Sequence, residues 1–310
     1  MRKDAVKFSM QLPAMVVEPA GEFQSGAAVR EIACALEALG YDACWVTDHP
    51  APAADWLRDA RGHDAIDPFV ALAMAAAHTE RLLLHVNLLV LPYRNPFLTA
   101  KSVASLEVLS GSRTILGVGS GYLEGEFSAL GVDFAKRGAL TDEALETMML
   151  AWSGQDVVRK GMDFDAKGIL ARPFPPRTPK IWIGGAADKA LERVVKWGNG
   201  WVPFFGPSDA GKFRKAQKAL SGYEDLRART LQLGEMLERA GRTDPVDICV
   251  NLPMAFKDLD AAEAERAAEA LQAVRQAGAS WVFAGLPHPS RAAYVENLQW
   301  FAETVMAKVR

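Results

Sequence analysis

The stretch "KIWIGGAADKALERVVKWGNGWVPF", residues 180–204, contains one complete strand, turn, helix and second strand. "KIWIG" is rich in β-branched and aromatic residues, and Gly184-Gly185 supplies a tight turn. "AADKALERVVKWG" then carries apolar residues at helical spacing, and "GWVPF" is another short apolar run. Two strands joined by a helix lie parallel, because the crossover returns the chain to the end it left. Working outward, the same alternation fills the chain. Eight strand runs are readable at 6–12, 43–48, 82–90, 113–118, 180–185, 200–204, 246–252 and 280–285. Between them lie amphipathic stripes such as Val29, Ile32, Leu36, Leu39 and Tyr294, Leu298, Phe301, Val305.

Eight such units predict an α/β fold, a (β/α)8 TIM barrel in one domain over residues 1–310. The connection between the fourth and fifth strand runs, about 119–179, is too long for one loop and is predicted to be an insertion. It holds a helix, "TDEALETMMLAW", and "DVVRKGMDFDA", which alternates like a hairpin, and it is placed to cover the barrel mouth. A doubly wound open sheet is the alternative, but its dinucleotide fingerprint is missing. In "LGVGSGYLEGEF" (116–127), Tyr122 stands three after Gly119 and Glu124 three after Gly121, so no G-x-G-x-x-G forms. Glycines at 117, 119 and 121 then call for a flat neighbour needing close backbone approach, or for a turn with positive φ.

Composition narrows the partners. Half the residues are hydrophobic, enough for a large core, and a net charge of −3 leaves no basic footprint for nucleic acid or an anionic membrane. A small-molecule partner is expected. Cys34, Cys44 and Cys249 show no C-x-x-C spacing and suggest a reducing compartment. "MRKDAVKFSMQLP" lacks the apolar run of a signal peptide, so a soluble cytoplasmic protein is expected. No His, Cys and carboxylate spacing resembles a metal site, which weighs against a metal-dependent barrel hydrolase.

In barrels of this kind the chemistry sits at the C-terminal strand ends. That rule selects His49, Asn87, Ser120 to Glu126, Gly184 to Ala187, Phe204, Phe205 and Asn251. The turn at Gly184, Gly185 and Ala186 opens a helix, and its N–H groups with the helix dipole make an anion site. His85 lies within a strand run and fits a buried structural role as well as a site role.

The segments "ALGYDACWVTDH" (38–49), "LLVLPYRNPFLTAKSVASLEVLSGSR" (88–113), "LGVGSGYLEGEFSALGVDFAKRG" (116–138), "TDEALETMMLAW" (141–152) and "PPRTPKIWIGGAADKALERVVKWGNGWVP" (175–203) resemble the bacterial-luciferase-like family of flavin-dependent oxidoreductases, particularly its deazaflavin (coenzyme F420) subgroup. The resemblance implies a barrel with a long insertion, usually homodimeric, that transfers hydride between the deazaflavin and a small organic substrate. FMN-dependent monooxygenation, with a separate flavin reductase as partner, is the alternative cofactor chemistry, and a flavin-binding protein without turnover is a third outcome. It implies a non-prolyl cis peptide at Val86-Asn87, with Ser120 and Gly121 beside the flavin ring. It also implies that the flavin phosphate sits at Gly184, Gly185 and Ala186. His49 is the implied catalytic residue. Tyr122 stands where some relatives carry a proton-donating glutamate, so it either serves the chemistry or packs on the ring. "EF" at 126–127 looks structural by the same resemblance, with Glu126 meeting an arginine such as Arg137.

Overall fold

The computed structural model describes residues 5–13, 20–59, 62–205 and 219–309. Eight parallel strands close into a barrel: β1 Lys7–Gln11, β2 Ala43–Val46, β3 Leu83–Val90, β4 Thr114–Gly119, β7 Lys180–Gly184, β8 Gly200–Val202, β9 Asp247–Asn251 and β10 Trp281–Phe283. They follow chain order around the barrel, with β10 paired to β1. The hairpin of β5 (Val157–Lys160) and β6 (Asp165–Ile169) lies outside the barrel. All eight strand runs of the sequence are present.

Period-two alternation sorts the strand residues between two cores. Phe8, Met10, Val46, Leu84, Leu116 and Ile183 point outward and pack with the helices. Ala43, Ile115, Trp182, Val202, Cys249 and Trp281 fill the barrel interior. Both helical stripes face the outer core: Ile32, Leu36, Leu298 and Phe301 are buried, each stabilising the fold by roughly 1.5–3 kcal/mol. The helix Pro96–Ser110 starts as its sequence predicts, with Asn95 accepting from the Phe97 N–H at 2.9 Å and Pro96 in the first turn. Gly111 ends it at φ 68°.

The insertion divides into two parts. The hairpin lies on the outer flank of the helices Pro96–Ser110 and Arg137–Trp152: Phe164 meets Phe97 edge-on at 5.4 Å, the Met162 N–H donates to Glu143, and Arg159 pairs with Glu146 at 2.9 Å. The part that reaches the mouth is the segment directly after β4, including the helix Glu124–Ala129.

The cis peptide corrects an expectation by one residue. It is Asn87-Leu88, and Val86-Asn87 is trans. Pairing with β4 runs Val86 to Leu116 and resumes at Leu89 to Val118, so Asn87 and Leu88 together stand opposite Gly117. Alternation would send Leu88 outward after inward Asn87. The bulge turns it inward instead, against the interior cluster. Val86 itself is fully buried in the outer core, so only its backbone can face the mouth.

Candidate functional site

Two carboxylates organise the mouth at the end of β2. Asp48 accepts from the Val90 N–H at 3.1 Å and from Arg94 at 2.8 Å, which ties the end of β2 to the end of β3. Burial raises the Asp48 carboxyl above its ordinary range, and the Arg94 guanidinium works against that rise. The second carboxylate, Glu126, is fully buried and accepts three hydrogen bonds. They come from His49 Nδ1 at 3.2 Å, the Tyr93 hydroxyl at 2.9 Å and the Ala51 N–H at 3.3 Å. The arginine expected beside Glu126 is elsewhere, since Arg137 stacks on Phe134 and donates to its carbonyl. Burial first, and the Glu126 charge second, push the Tyr93 hydroxyl upward, so it remains a donor.

A carboxylate acceptor requires the proton on His49 Nδ1, which leaves Nε2 to exchange a proton with a reacting group. The imidazole sits among rings: Trp56 and His63 each have their centroid 4.8 Å away, and Tyr122 lies edge-on at 6.1 Å. His49 and Tyr122, from the ends of β2 and β4, are therefore neighbours as predicted. His63, which no local pattern marks as a site residue, joins them beside Gly62, whose N–H donates to the Trp56 carbonyl at 3.1 Å.

Ser120 lies apart from this group. Its Oγ accepts from Arg193 at 3.1 Å and pairs with Thr141 Oγ1 at 2.9 Å, while Arg193 also binds Asp142 at 2.6 Å. Gly121 adopts φ 77°, and a side chain there would meet Val90 and Phe127 within 3 Å. A Cβ at Gly117 would overlap the Val86 carbonyl, and one at Gly184 would overlap Leu88. Only Gly119 has room, its nearest neighbour being Leu88 at 3.6 Å. Most of the glycines that invited a flat ligand are thus demanded by the protein's own packing, and position 119 is the open one.

At the anion turn, the Gly185 N–H already donates to the Val202 carbonyl at 3.0 Å, and Gly185 holds φ 110°. The helix Asp188–Trp197 begins at Ala187 with no side chain capping it. Arg229 adds positive charge there, donating to the Ala186 carbonyl at 2.9 Å and to Asp188 at 2.5 Å. Ala186 is buried, so it presents only its backbone.

Beneath the mouth, His85 is enclosed, with Nδ1 3.1 Å from Ser9 Oγ and its ring 4.8 Å from Trp182. Burial pushes it down to about 3, so it is neutral, and the structure gives it the buried role. Among the described residues no three His, Cys, Asp or Glu side chains group as a metal site would require, and no helix is long and apolar enough to cross a membrane.

Comparison with known proteins assigns this barrel. A sequence profile described as luciferase-like monooxygenase matches residues 6–308. The chain belongs to that family. Within it, this luciferase-like chain is 31% identical over 181 residues to a phthiodiolone/phenolphthiodiolone dimycocerosates ketoreductase of Mycobacterium sp. (strain JLS), covering 53% of this chain and 47% of that one. Its fold matches an F420-dependent secondary alcohol dehydrogenase solved with an F420-acetone adduct, at TM-score 0.76 and 17% identity over 99% and 100% of the two chains. It equally matches the oxygenating constituent of 3,6-diketocamphane monooxygenase of Pseudomonas putida solved with FMN, at TM-score 0.77 and 15% identity over 99% of each. The luciferase-like barrel and an oxidoreductase or monooxygenase activity class are thereby established for the family.

Proposed function

We propose that this luciferase-like chain transfers hydride between deazaflavin F420 and a small carbonyl or alcohol substrate, with His49 as the acid-base residue. The carrying observation is His49 held through Nδ1 by buried Glu126 at the mouth, with Tyr122 beside it. Hydride arriving at a carbonyl carbon requires a proton at its oxygen, and an imidazole oriented by a carboxylate delivers one from Nε2. In the reverse direction Nε2 takes the hydroxyl proton, while Glu126 holds the ring through Nδ1. The ketoreductase and the F420-dependent dehydrogenase among the similar proteins interconvert carbonyls and alcohols by name, which supports this direction of chemistry.

The residues fit a flavin-type ring in two respects. Gly119 leaves open space beside Leu88, and Asn87 presents a half-buried amide where the cis bond interrupts the strand. Asn87, the Val86 backbone, Ser120 and Gly121 are the proposed ring neighbours. The uncapped N–H groups after Gly184 and Gly185, with Ala186 and the Arg229 charge, are the proposed phosphate site. When bound, the deazaflavin supplies a hydride-accepting carbon, and the protein orients it and excludes water. The test is an absorption and fluorescence titration with F420 and FMN separately. Tighter F420 binding is expected. Preference for FMN would move the assignment to the monooxygenase class, and a bound flavin that neither reductant nor substrate turns over would make this a flavin-binding protein without activity.

A further inference from the structure

Four adjacent strands, β9, β10, β1 and β2, form one continuous wall in the upper interior of the barrel. Gln11 pairs with Trp45 across β1 and β2, and Phe283 pairs with Asn251 across β10 and β9. The Trp45 ring meets Phe283 at 5.7 Å, closing the wall between the two pairs. The inward direction of these residues follows from their neighbours, since Met10, Leu12, Val46, Val250, Leu252 and Val282 all belong to the outer core.

The wall carries hydrogen-bonding capacity that the fold does not use. The Trp45 indole N–H is buried without a partner. Gln11 is engaged through its main-chain oxygen, which accepts from the Tyr294 hydroxyl, and its side-chain amide has no partner among the described residues. The half-buried Asn251 amide is equally uncommitted among them. The buried Trp45 N–H carries a desolvation cost that a ligand partner offsets, and the half-buried Gln11 and Asn251 amides can exchange water for a ligand. None of these groups is charged. Among the described strand residues, the charged inward ones lie at the opposite strand ends, where Lys180 pairs with Asp247 at 3.8 Å and Lys7 stands over Trp281.

We propose that this wall selects the substrate as an uncharged molecule with carbonyl, hydroxyl or amide groups on a compact apolar body. The Gln11 and Asn251 amides meet its polar groups, with the Trp45 N–H behind them and Phe283 against its apolar face. Among the described residues this wall offers a carboxylate or phosphate no lysine or arginine, so such a group stays in water. The assignment rests on the proposed flavin reading, which leaves this side of the mouth to the substrate.

The test is calorimetric titration of the flavin-loaded protein with two probes of similar size, δ-valerolactam and cyclopentanecarboxylate. The lactam is expected to bind and the carboxylate to bind at least tenfold more weakly. Gln11→Leu and Asn251→Leu should each weaken lactam binding roughly tenfold, the size of one net hydrogen bond. Both variants should keep the wild-type flavin affinity and melting temperature, which separates recognition from folding. Equal or tighter binding of the carboxylate, no lactam binding by the wild type, or wild-type lactam affinity in both variants would overturn the proposal. If neither flavin binds, the flavin reading fails on its own, and the same titration of the unloaded protein still decides what the wall selects.

Discussion

On the β3–β4–β7 side of the mouth, Gly117, Gly119 and Gly184 surround one inward leucine, Leu88. On the β9–β10–β1–β2 side the inward positions hold Asn251, Phe283, Gln11 and Trp45. The first side is almost fully determined from within, because two of its glycines cannot take a Cβ without striking Leu88 or the Val86 carbonyl. Both sides leave buried polar atoms unmet, His85 Nε2 and Trp182 Nε1 on the first and Trp45 Nε1 on the second, but the second adds two half-buried amides, Gln11 and Asn251, that a ligand can reach. A residue explained by its own neighbours says little about a ligand, whereas an unmet donor does. The polar wall is therefore the more informative half, although the glycines are what the eye meets first in the sequence.

The largest effect should come from filling the glycine side. Gly117→Val places branched carbons onto the Val86 carbonyl and within 3 Å of Leu88, and overpacking of that kind costs about 1–3 kcal/mol or more. Little soluble protein is expected. Gly119→Ala should melt within a few degrees of wild type, its Cβ having ordinary clearance of 3.6 Å. If Gly117→Val folded as well as Gly119→Ala, the packing account of this side would be wrong.

Next in size is catalysis. His49→Ala should lower turnover by roughly 10²–10⁴ while flavin affinity stays within about twofold. Glu126→Gln should cost less, because it keeps an acceptor for Tyr93 but weakens the hold on His49. Steady-state rates on a confirmed substrate, alongside flavin titration, would expose a purely structural His49 as normal turnover with a lowered melting temperature.

Below the mouth, His85 predicts a pH effect on folding. It titrates near 6.5 in the unfolded chain but is held to about 3 in the fold by burial. Between those values the unfolded chain binds a proton that the native protein does not. Stability therefore rises with pH across that window, by up to about 1.4 kcal/mol per unit, and is lost as pH falls from about 6.5 toward 3. Denaturant midpoints at pH 4.5 and 7 should differ less in His85→Gln than in wild type. An unchanged difference would mean His85 is not the group responsible.

The smallest effect is expected at Ser120. Its hydroxyl is already held by Arg193 and Thr141, and Arg193 keeps Asp142 and the Gly138 carbonyl when the hydroxyl is removed. Ser120→Ala should cost about 1 kcal/mol of stability and only a few-fold in flavin affinity. A loss of flavin binding far beyond that would show a direct contact to the ring.

Strand positions and the barrel were legible because alternation and helical periodicity depend on residues near one another in the chain. The pairing of His49 with Tyr122 was legible too, since the barrel rule brings strand ends together. Glu126 is legible as a structural carboxylate but its partner is not: nothing local distinguishes an arginine eleven residues on from a histidine seventy-seven back. His63 is marked by no local pattern, and only the tertiary contact of its ring with Trp56 and His49 brings it in. The cis bond lies one residue beyond the pair the family resemblance implied, at the bulge where β3 shifts register against β4. The polar wall was hidden for a different reason, its members being spread across the first and last quarters of the chain, where a strand-borne tryptophan such as Trp45 reads as barrel packing and only Asn251 stands at a strand end as a site candidate.

Leu88 has a consequence for how such a barrel can diverge. Its side chain occupies volume that glycine leaves free at both 117 and 184, so the three positions share one allotment of space. A lineage that enlarged residue 184 would first have to shrink residue 88, and the intermediate with both large would be lost. Variation at these sites should therefore be correlated, with compensating pairs such as Leu88→Ala and Gly184→Ala tolerated together. The depth to which any bound molecule descends into the barrel would then be inherited through residue 88, independently of the groups that recognise it above.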